Sequence, residues 1–245
     1  VIIGSSLSLW LKEDGLSRST IGWAGLIFAV YAFNYLWAPI IDRIRIPWLT
    51  KKVGHRRGWI IIMQTVILLS LVSWSLLSPT ANLTMVVSIG LIIAIASATQ
   101  DITVDALRIE QIGEHEGKSM QAGAAMAVVG WWTGYKLGGV VALNSAEFFQ
   151  QAGFSNYWQI TFLILGIVVI FCNICLMFVN ETQSDDRAKS QQQNDKMIED
   201  KMGSSNIMTK IFAWLTGTVV GPVISFFTKN GFNIAIAILG FVFLF

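Results

Sequence analysis

Asp101 and Asp105 lie four residues apart near one end of an apolar stretch, residues 83–107, and Arg108 follows three residues after the second acid. In a helix this spacing stacks the three side chains into one acid–acid–base stripe. An ionised side chain at the centre of a membrane helix costs roughly 2.5–3.5 kcal/mol. Such groups therefore face a bundle interior or a wet cavity. Two neighbouring carboxylates can hold one proton between them, which suits proton coupling. The same stripe also suits a fixed ion-pair network that holds helices together, and both readings stay open.

Lys136 is the other ionisable residue within an apolar stretch. Gly130, Gly134 and Gly138 recur around it every four residues, a small-residue stripe that lets a second helix approach closely. Lys136 points about 200° round the helix from Gly134 by the 3.6-residue period. A polar cavity is its cheaper environment, and with Arg108 it is a candidate partner for the aspartates. Asn34 and Gln64 are uncharged candidates, for a ligand contact or for helix–helix hydrogen bonds. Tyr31, Tyr35, Trp37, Trp131, Trp132 and Tyr135 could stack on a sugar or base, or sit in interface belts. His55 and His115 fall in loops and read as solvated. Cys172 and Cys175 lie in an apolar run without a second pair and read as buried, inert thiols. Nothing implies a metal, a cofactor or nucleic acid.

The elements that must position these residues are helices in a bilayer. Of the 245 residues, 54% are hydrophobic and only 13% charged, against roughly 25% charged in a soluble domain. Mean hydropathy is +0.60. Apolar stretches at about 21–41, 59–77, 83–107, 120–143 and 157–179 reach or approach the ~20 residues a spanning helix needs. Residues 1–11 read as the tail of another. The fold class is thus an all-α polytopic membrane protein, with a six-helix half over residues 1–179. Residues 180–206 are polar and Gln-rich, a linker with little core to bury. In 207–245, Ile207, Ile211 and Leu215 recur at helical spacing as an interfacial lead-in, and a further span starts near 231. The chain opens and closes in apolar sequence, so both ends read as cuts through helices of a longer protein.

Basic residues in short loops set the orientation. The 43–57 loop carries Arg43, Arg45, Lys51, Lys52, Arg56 and Arg57 and no acid, which places it in the cytoplasm. Alternation places the loop after Arg108 and the linker there too. The linker carries charges of both signs and does not vote.

Asp42-Arg43 at one helix end and Gly54-His55-Arg56-Arg57 before the next resemble the gating signature of the major facilitator superfamily, with Ile44 to Val53 inserted between. An acid at one helix end and arginines at the next can latch helices in one state and release them in another. Four blocks are similar to the AmpG-type muropeptide permeases and the related acetyl-CoA transporters. They are Tyr35-Leu36-Trp37-Ala38-Pro39-Ile40-Ile41-Asp42-Arg43, Gly54-His55-Arg56-Arg57-Gly58-Trp59, Ala98-Thr99-Gln100-Asp101-Ile102-Thr103-Val104-Asp105-Ala106, and Gly134-Tyr135-Lys136-Leu137-Gly138. They occur in order over about residues 20–145, and 220–227 looks like the family's stretch before helix seven.

The resemblance implies the superfamily's N-terminal six-helix bundle plus the start of helix seven. It implies a multi-pass symporter of the bacterial inner membrane that imports anhydro-muropeptides with protons. Its partners would be the bilayer, a small solute, protons and the C-terminal half of the same protein. The family's polar face falls on Gln100, Asp101, Asp105, Tyr135 and Lys136. Asn34 stands where the enterobacterial permease is expected to have lysine, which points to a different ligand if that lysine touches substrate. The gating set would be Asp42, Arg43, Gly54, Arg56, Arg57 and Arg108. An acyl-CoA or nucleotide-like solute is the alternative, because the Gln100-to-Asp105 block occurs in both branches. An intramembrane aspartyl protease is disfavoured, since such enzymes place their acids on two facing helices. A non-transporting scaffold or sensor on the same fold is the remaining class.

Overall fold

The computed structural model describes residues 3–112, 117–179, 181, 193, 197, 214, 216–231, 233, 234, 236, 237 and 240. Among them every regular element is a helix and there is no strand. In chain order these are α1 (Ile3–Glu13), α2 (Arg18–Gly25), α3 (Val30–Phe33), α4 (Ala38–Arg43), α5 (Pro47–Val53), α6 (His55–Trp74), α7 (Pro79–Ile112), α8 (Gly117–Gln151) and α9 (Tyr157–Leu176). A π-helical turn (Thr216–Val220) then leads into α10 (Gly221–Asn230). The lead-in expected around Ile207, Ile211 and Leu215 falls outside the described residues, as does His115.

Among the described residues, four segments are long and apolar enough to cross a membrane: Arg18–Leu36, His55–Trp74, Pro79–Ile112 and Tyr157–Leu176. α8 has length to spare at 35 residues, but its glycines, tryptophans and Lys136 dilute its hydropathy. The α7 helix kinks at Asn82 (φ −136°, ψ 44°).

Three expectations about the 21–57 region need correction. The stretch 21–41 is not one continuous helix. Between α2 and α3 it tightens into a 3-10 turn, Leu26–Ala29, and between α3 and α4 into another, Asn34–Leu36. Phe33 (φ −109°, ψ 1°) leaves helical geometry, and Trp37 (φ −105°, ψ −1°) stays in the right-handed region. Pro39 is the local cause of the second break: it has no N–H, and its ring crowds the carbonyl four residues back. The helix restarts at Ala38 with the proline in its first turn, where no donor is needed. The basic stretch is not all loop either, because Pro47 opens the seven-residue helix α5. Leu49 of α5 packs over Gly58 of α6, and Lys52 Nζ sits 4.3 Å from the centre of the Trp48 ring. His55 is buried in the first turn of α6 rather than solvated. The two thiols are also corrected: Cys172 and Cys175 are free but exposed on α9.

By contacts the chain forms two compact units, Val1–Ala38 with Arg45–Thr182, and Pro39–Ile44 with Gln183–Phe245. The core of the first unit is aromatic. Trp10 of α1, Trp74 of α6 and Phe162 of α9 meet with ring centres 4.8–5.8 Å apart, and all three are buried. The Trp74 indole N–H donates to the Val86 carbonyl at 3.0 Å, so its polar atom is satisfied inside the core. Gly90 lets α7 come close: a methyl there would meet Ile27 at 3.0 Å and Trp74 at 3.2 Å. At the end of α1, Glu13 accepts from the Tyr157 hydroxyl (2.9 Å) and the Trp158 indole (2.7 Å). Asp14 next to it accepts from the Thr80 N–H at the start of α7. Anions thus sit at the N-termini of α7 and α9, where the helix dipole favours them.

Phe162→Ala would empty the centre of this cluster. The expected cost is about 3–5 kcal/mol, read as a lowered thermal midpoint of the purified protein. Phe162→Leu should lose clearly less.

Candidate functional site

The α7 helix carries two stripes. Thr99, Thr103 and Leu107 are buried, and each threonine hydroxyl is satisfied within its own helix, Thr99 by the Ile95 carbonyl and Thr103 by the Thr99 carbonyl, both at 2.8 Å. The Trp37 indole N–H also donates to the Thr99 hydroxyl at 3.1 Å, anchoring the broken span onto α7. The second stripe is Asp101, Asp105 and Arg108. Arg108 reaches back one turn to Asp105, Nη2 to Oδ1 3.2 Å. Asp105 is 61% exposed, whereas Asp101 is half-buried, as is Gln100. Tyr31 of α3 lies within electrostatic reach of Asp101 and beside Ser97. Among the described residues no cation bonds Asp101, so the two acids differ: one is tied to a base and the other is not.

The remaining candidates on this side are dispersed. Asn34 is half-buried at the start of the second 3-10 turn, with its carbonyl occupied by the Trp37 N–H. On α8, Tyr135 stacks on Trp131, ring centres 5.8 Å apart and 7° from parallel, with Trp132 edge-on. Lys136 beside them is exposed and, among the described residues, pairs with neither aspartate. Arg108 holds that role for Asp105. Of the glycine stripe only Gly138 is buried. A methyl on Gly130 or Gly134 would meet nothing within 4 Å. The close helix approach on α8 is instead made by Gly123, which sits against Ile112 and Arg108 of α7.

Of the six residues expected to gate, Gly54, Arg56 and Arg57 fall in a denser cluster, where α6 starts and α7 and α9 end. Arg56 is buried, and its guanidinium holds Glu110 of α7 through Nη2 (2.9 Å) and Nε (3.2 Å). The backbone N–H groups of Arg56 and Arg57 donate to the two oxygens of Glu181, at 2.8 and 2.9 Å. That carboxylate therefore caps α6 with both oxygens, meeting donors every helix start leaves open. In return the Arg57 guanidinium donates to the Met177 carbonyl just past the end of α9 (3.0 Å), a cation at a helix C-terminus. Gly54 closes α5 at φ +101°, which a side chain rarely adopts, and a methyl there would run into the Glu181 carboxylate. Separately, Arg43 Nη1 donates to the Trp214 carbonyl (2.9 Å) and the Thr218 hydroxyl (2.6 Å), and its guanidinium lies 5.8 Å from the Trp214 ring centre. Asp42, its neighbour, is exposed.

Reading the residues alone missed Glu110 and Glu181. The available signal was the helix start itself: Arg56 and Arg57 bring open N–H donors and two cations to one point, which calls for carboxylates nearby. Gly54→Ala should cost about 1–3 kcal/mol of stability through the forbidden φ alone. Gly58→Ala, whose methyl meets Leu49 at 3.6 Å, should be tolerated, and thermal midpoints of the two variants compare them. Glu181→Gln should speed hydrogen exchange at the Arg56 and Arg57 amides while leaving α7 core amides protected.

The comparisons with known proteins agree with this architecture. The family model described as Major Facilitator Superfamily matches residues 1–245, the whole chain. A Rickettsia felis protein named as the transporter AmpG 4 is 30% identical over 94% of this chain and 49% of its own length. The anhydromuropeptide permease of Escherichia coli K12 is 29% identical over 74% of this chain and 34% of its own. A Rickettsia typhi protein named as the transporter AmpG 3 is 34% identical over 66% of this chain and 38% of its own. The chain spans about half the length of the curated relatives it matches, or less. Helices, membrane-length apolar spans and the match over every residue lead to one conclusion: the chain belongs to the major facilitator superfamily.

Proposed function

We propose that this chain is the N-terminal half of a proton-coupled symporter that imports anhydro-muropeptides across the bacterial inner membrane. The observation that carries the reading is the α7 stripe. Asp105 is tied to Arg108 at 3.2 Å, while Asp101, one turn deeper in a span of high hydropathy, has no bonded cation among the described residues. A carboxylate with no bonded cation beside it is the one of the two left open to a proton or to a cationic group of the solute. Asp101 is then the proton-carrying group, with Gln100, Asn34, Tyr135 and Lys136 lining the solute path. The substrate class is supported by the name of the Escherichia coli relative, an anhydromuropeptide permease.

In this reading the Arg56–Glu110 and Glu181 cluster stands on the cytoplasmic side, as do the 43–57 loop and the 180–206 linker. The excess of basic residues in the 43–57 stretch supports that orientation. Asp42, Arg43, Gly54, Arg56, Arg57 and Arg108 act as the gate. Alternating access needs a second half rocking against the first around a midplane site, so the transporting unit includes the C-terminal half. The protein moves its solute without covalent chemistry.

In cells lacking their own permease, Asp101→Asn in the full-length protein should reduce anhydro-muropeptide uptake to background with membrane insertion unchanged. Asp105→Asn should do the same by releasing Arg108. Proton-driven uptake at the normal rate in both variants would sink the proposal. Competition by unlabelled acetyl-CoA, rather than by anhydro-muropeptide, would move the substrate to the acyl-CoA branch.

A further inference from the structure

The helix α5 lies in the connection between two membrane-length segments, Arg18–Leu36 and His55–Trp74, within the Ile44-to-Val53 stretch that lengthens the gating signature. Its residues divide between two faces. At the helical period, Trp48, Lys51 and Lys52 fall within one arc of about 100°, and Leu49, Thr50 and Val53 occupy the other side. Burial follows the same division: Leu49, Thr50 and Val53 are half-buried, whereas Trp48, Lys51 and Lys52 are exposed, Trp48 by 67%. Leu49 fixes the inner face by packing over Gly58 near the start of α6. The depth of α5 follows from that contact. At the start of α6, Arg56 meets Glu110 near the end of α7, and Arg57 meets the Met177 carbonyl past the end of α9. All three helices are membrane-length segments, and their ends share one polar level. Gly58 belongs to it, so α5 sits at the height where hydrocarbon gives way to headgroups.

The exposed face has the chemistry of that zone. A tryptophan ring is apolar over most of its area and carries one N–H, so it collects at the headgroup level. A lysine lays its apolar stem along the surface and carries its ammonium outward to phosphate. The Lys52 ammonium also stands 4.3 Å from the centre of the Trp48 ring, a cation–π contact that keeps the two side chains together. The 43–57 stretch holds six basic residues and no acid. Arg56 and Arg57 turn to Glu110 and Met177, and Arg43 to Trp214 and Thr218. Lys51 and Lys52 are the charges that α5 itself presents outward.

We infer that α5 is an interfacial anchor whose face of Trp48, Lys51 and Lys52 binds an anionic lipid surface. Trp48 enters the headgroup zone and the two ammonium groups lie at lipid phosphates, while Leu49 ties the helix to α6. The anchor depends on the membrane character of the chain and on neither the solute nor the proton coupling. Its failure is therefore distinct from failure of the muropeptide assignment.

The test is amide hydrogen exchange of the full-length protein in nanodiscs of phosphatidylcholine, alone and with phosphatidylglycerol added. Both leaflets are alike in such discs, so the result does not depend on orientation. Exchange across Trp48–Val53 should slow about tenfold with the anionic lipid, each lysine contributing about fivefold at most. The α6 amides from Ile60 to Leu71 should not change. Lys51→Gln combined with Lys52→Gln should lose the slowing, and Lys51→Arg combined with Lys52→Arg should keep it. Trp48→Ala should speed exchange in both kinds of disc. Raising the salt should shrink the difference between the lipids in the parent protein, a readout that needs no variant. Equal exchange in both lipids overturns the anchor, and equally slow exchange assigns the face to a protein cover. Slowing that survives in the double glutamine variant overturns it as well. Exchange slowed equally by free glycerol phosphate in phosphatidylcholine discs assigns the face to a soluble phosphate and overturns the lipid.

Discussion

The two oxygens of Glu181 on the N–H groups of Arg56 and Arg57 are the contact on which much of the basic end depends. A helix start in low dielectric has open donors, and leaving them open is expensive. Glu181 meets two of them and brings its charge beside two arginines. Those arginines then reach outward, Arg56 to Glu110 on α7 and Arg57 to the end of α9. The start of α6, capped by one carboxylate, is therefore tied to the ends of α7 and α9 by its own two arginines. Gly54 is glycine because that arrangement leaves neither space nor an allowed φ for a side chain.

The other end follows the same logic with different residues. Glu13 and Asp14 close α1, yet both carboxylates accept from donors at the starts of later helices. Between the two polar ends the bundle is held by shape: Trp10, Trp74 and Phe162 interlock, and Gly90 admits α7 close enough to finish the contact. In a bilayer, where apolar burial between helices gains little over lipid, close packing of this kind and satisfied polar groups supply the association.

Against that rigid frame the acidic stripe of α7 and the broken second span are the places where local rules are bent. Among the described residues no cation bonds Asp101 in its apolar helix, and the 3-10 turns interrupt a stretch whose hydropathy alone reads as one helix. Both breaches concentrate along the same pair of neighbouring segments, linked by Trp37 and Thr99. Local departures from good helix chemistry are retained where a structure has to change state.

By itself the sequence determined the helical class, the approximate spans, the acid–acid–base stripe and, through four ordered blocks, the family. These are properties of composition and period, and they are read along one chain without knowing what lies across from it. The break before α4 has a local cause in Pro39, which a hydropathy average over residues 21–41 does not register. Only the tertiary structure decided who pairs with whom. Arg56 meets Glu110 and the amides beside it meet Glu181, 125 residues away in sequence, while Lys136 stays exposed and the glycine stripe packs only at Gly138. Partner choice depends on distances between helices, and those are set by how side chains interlock, so no spacing within a single helix could have revealed it.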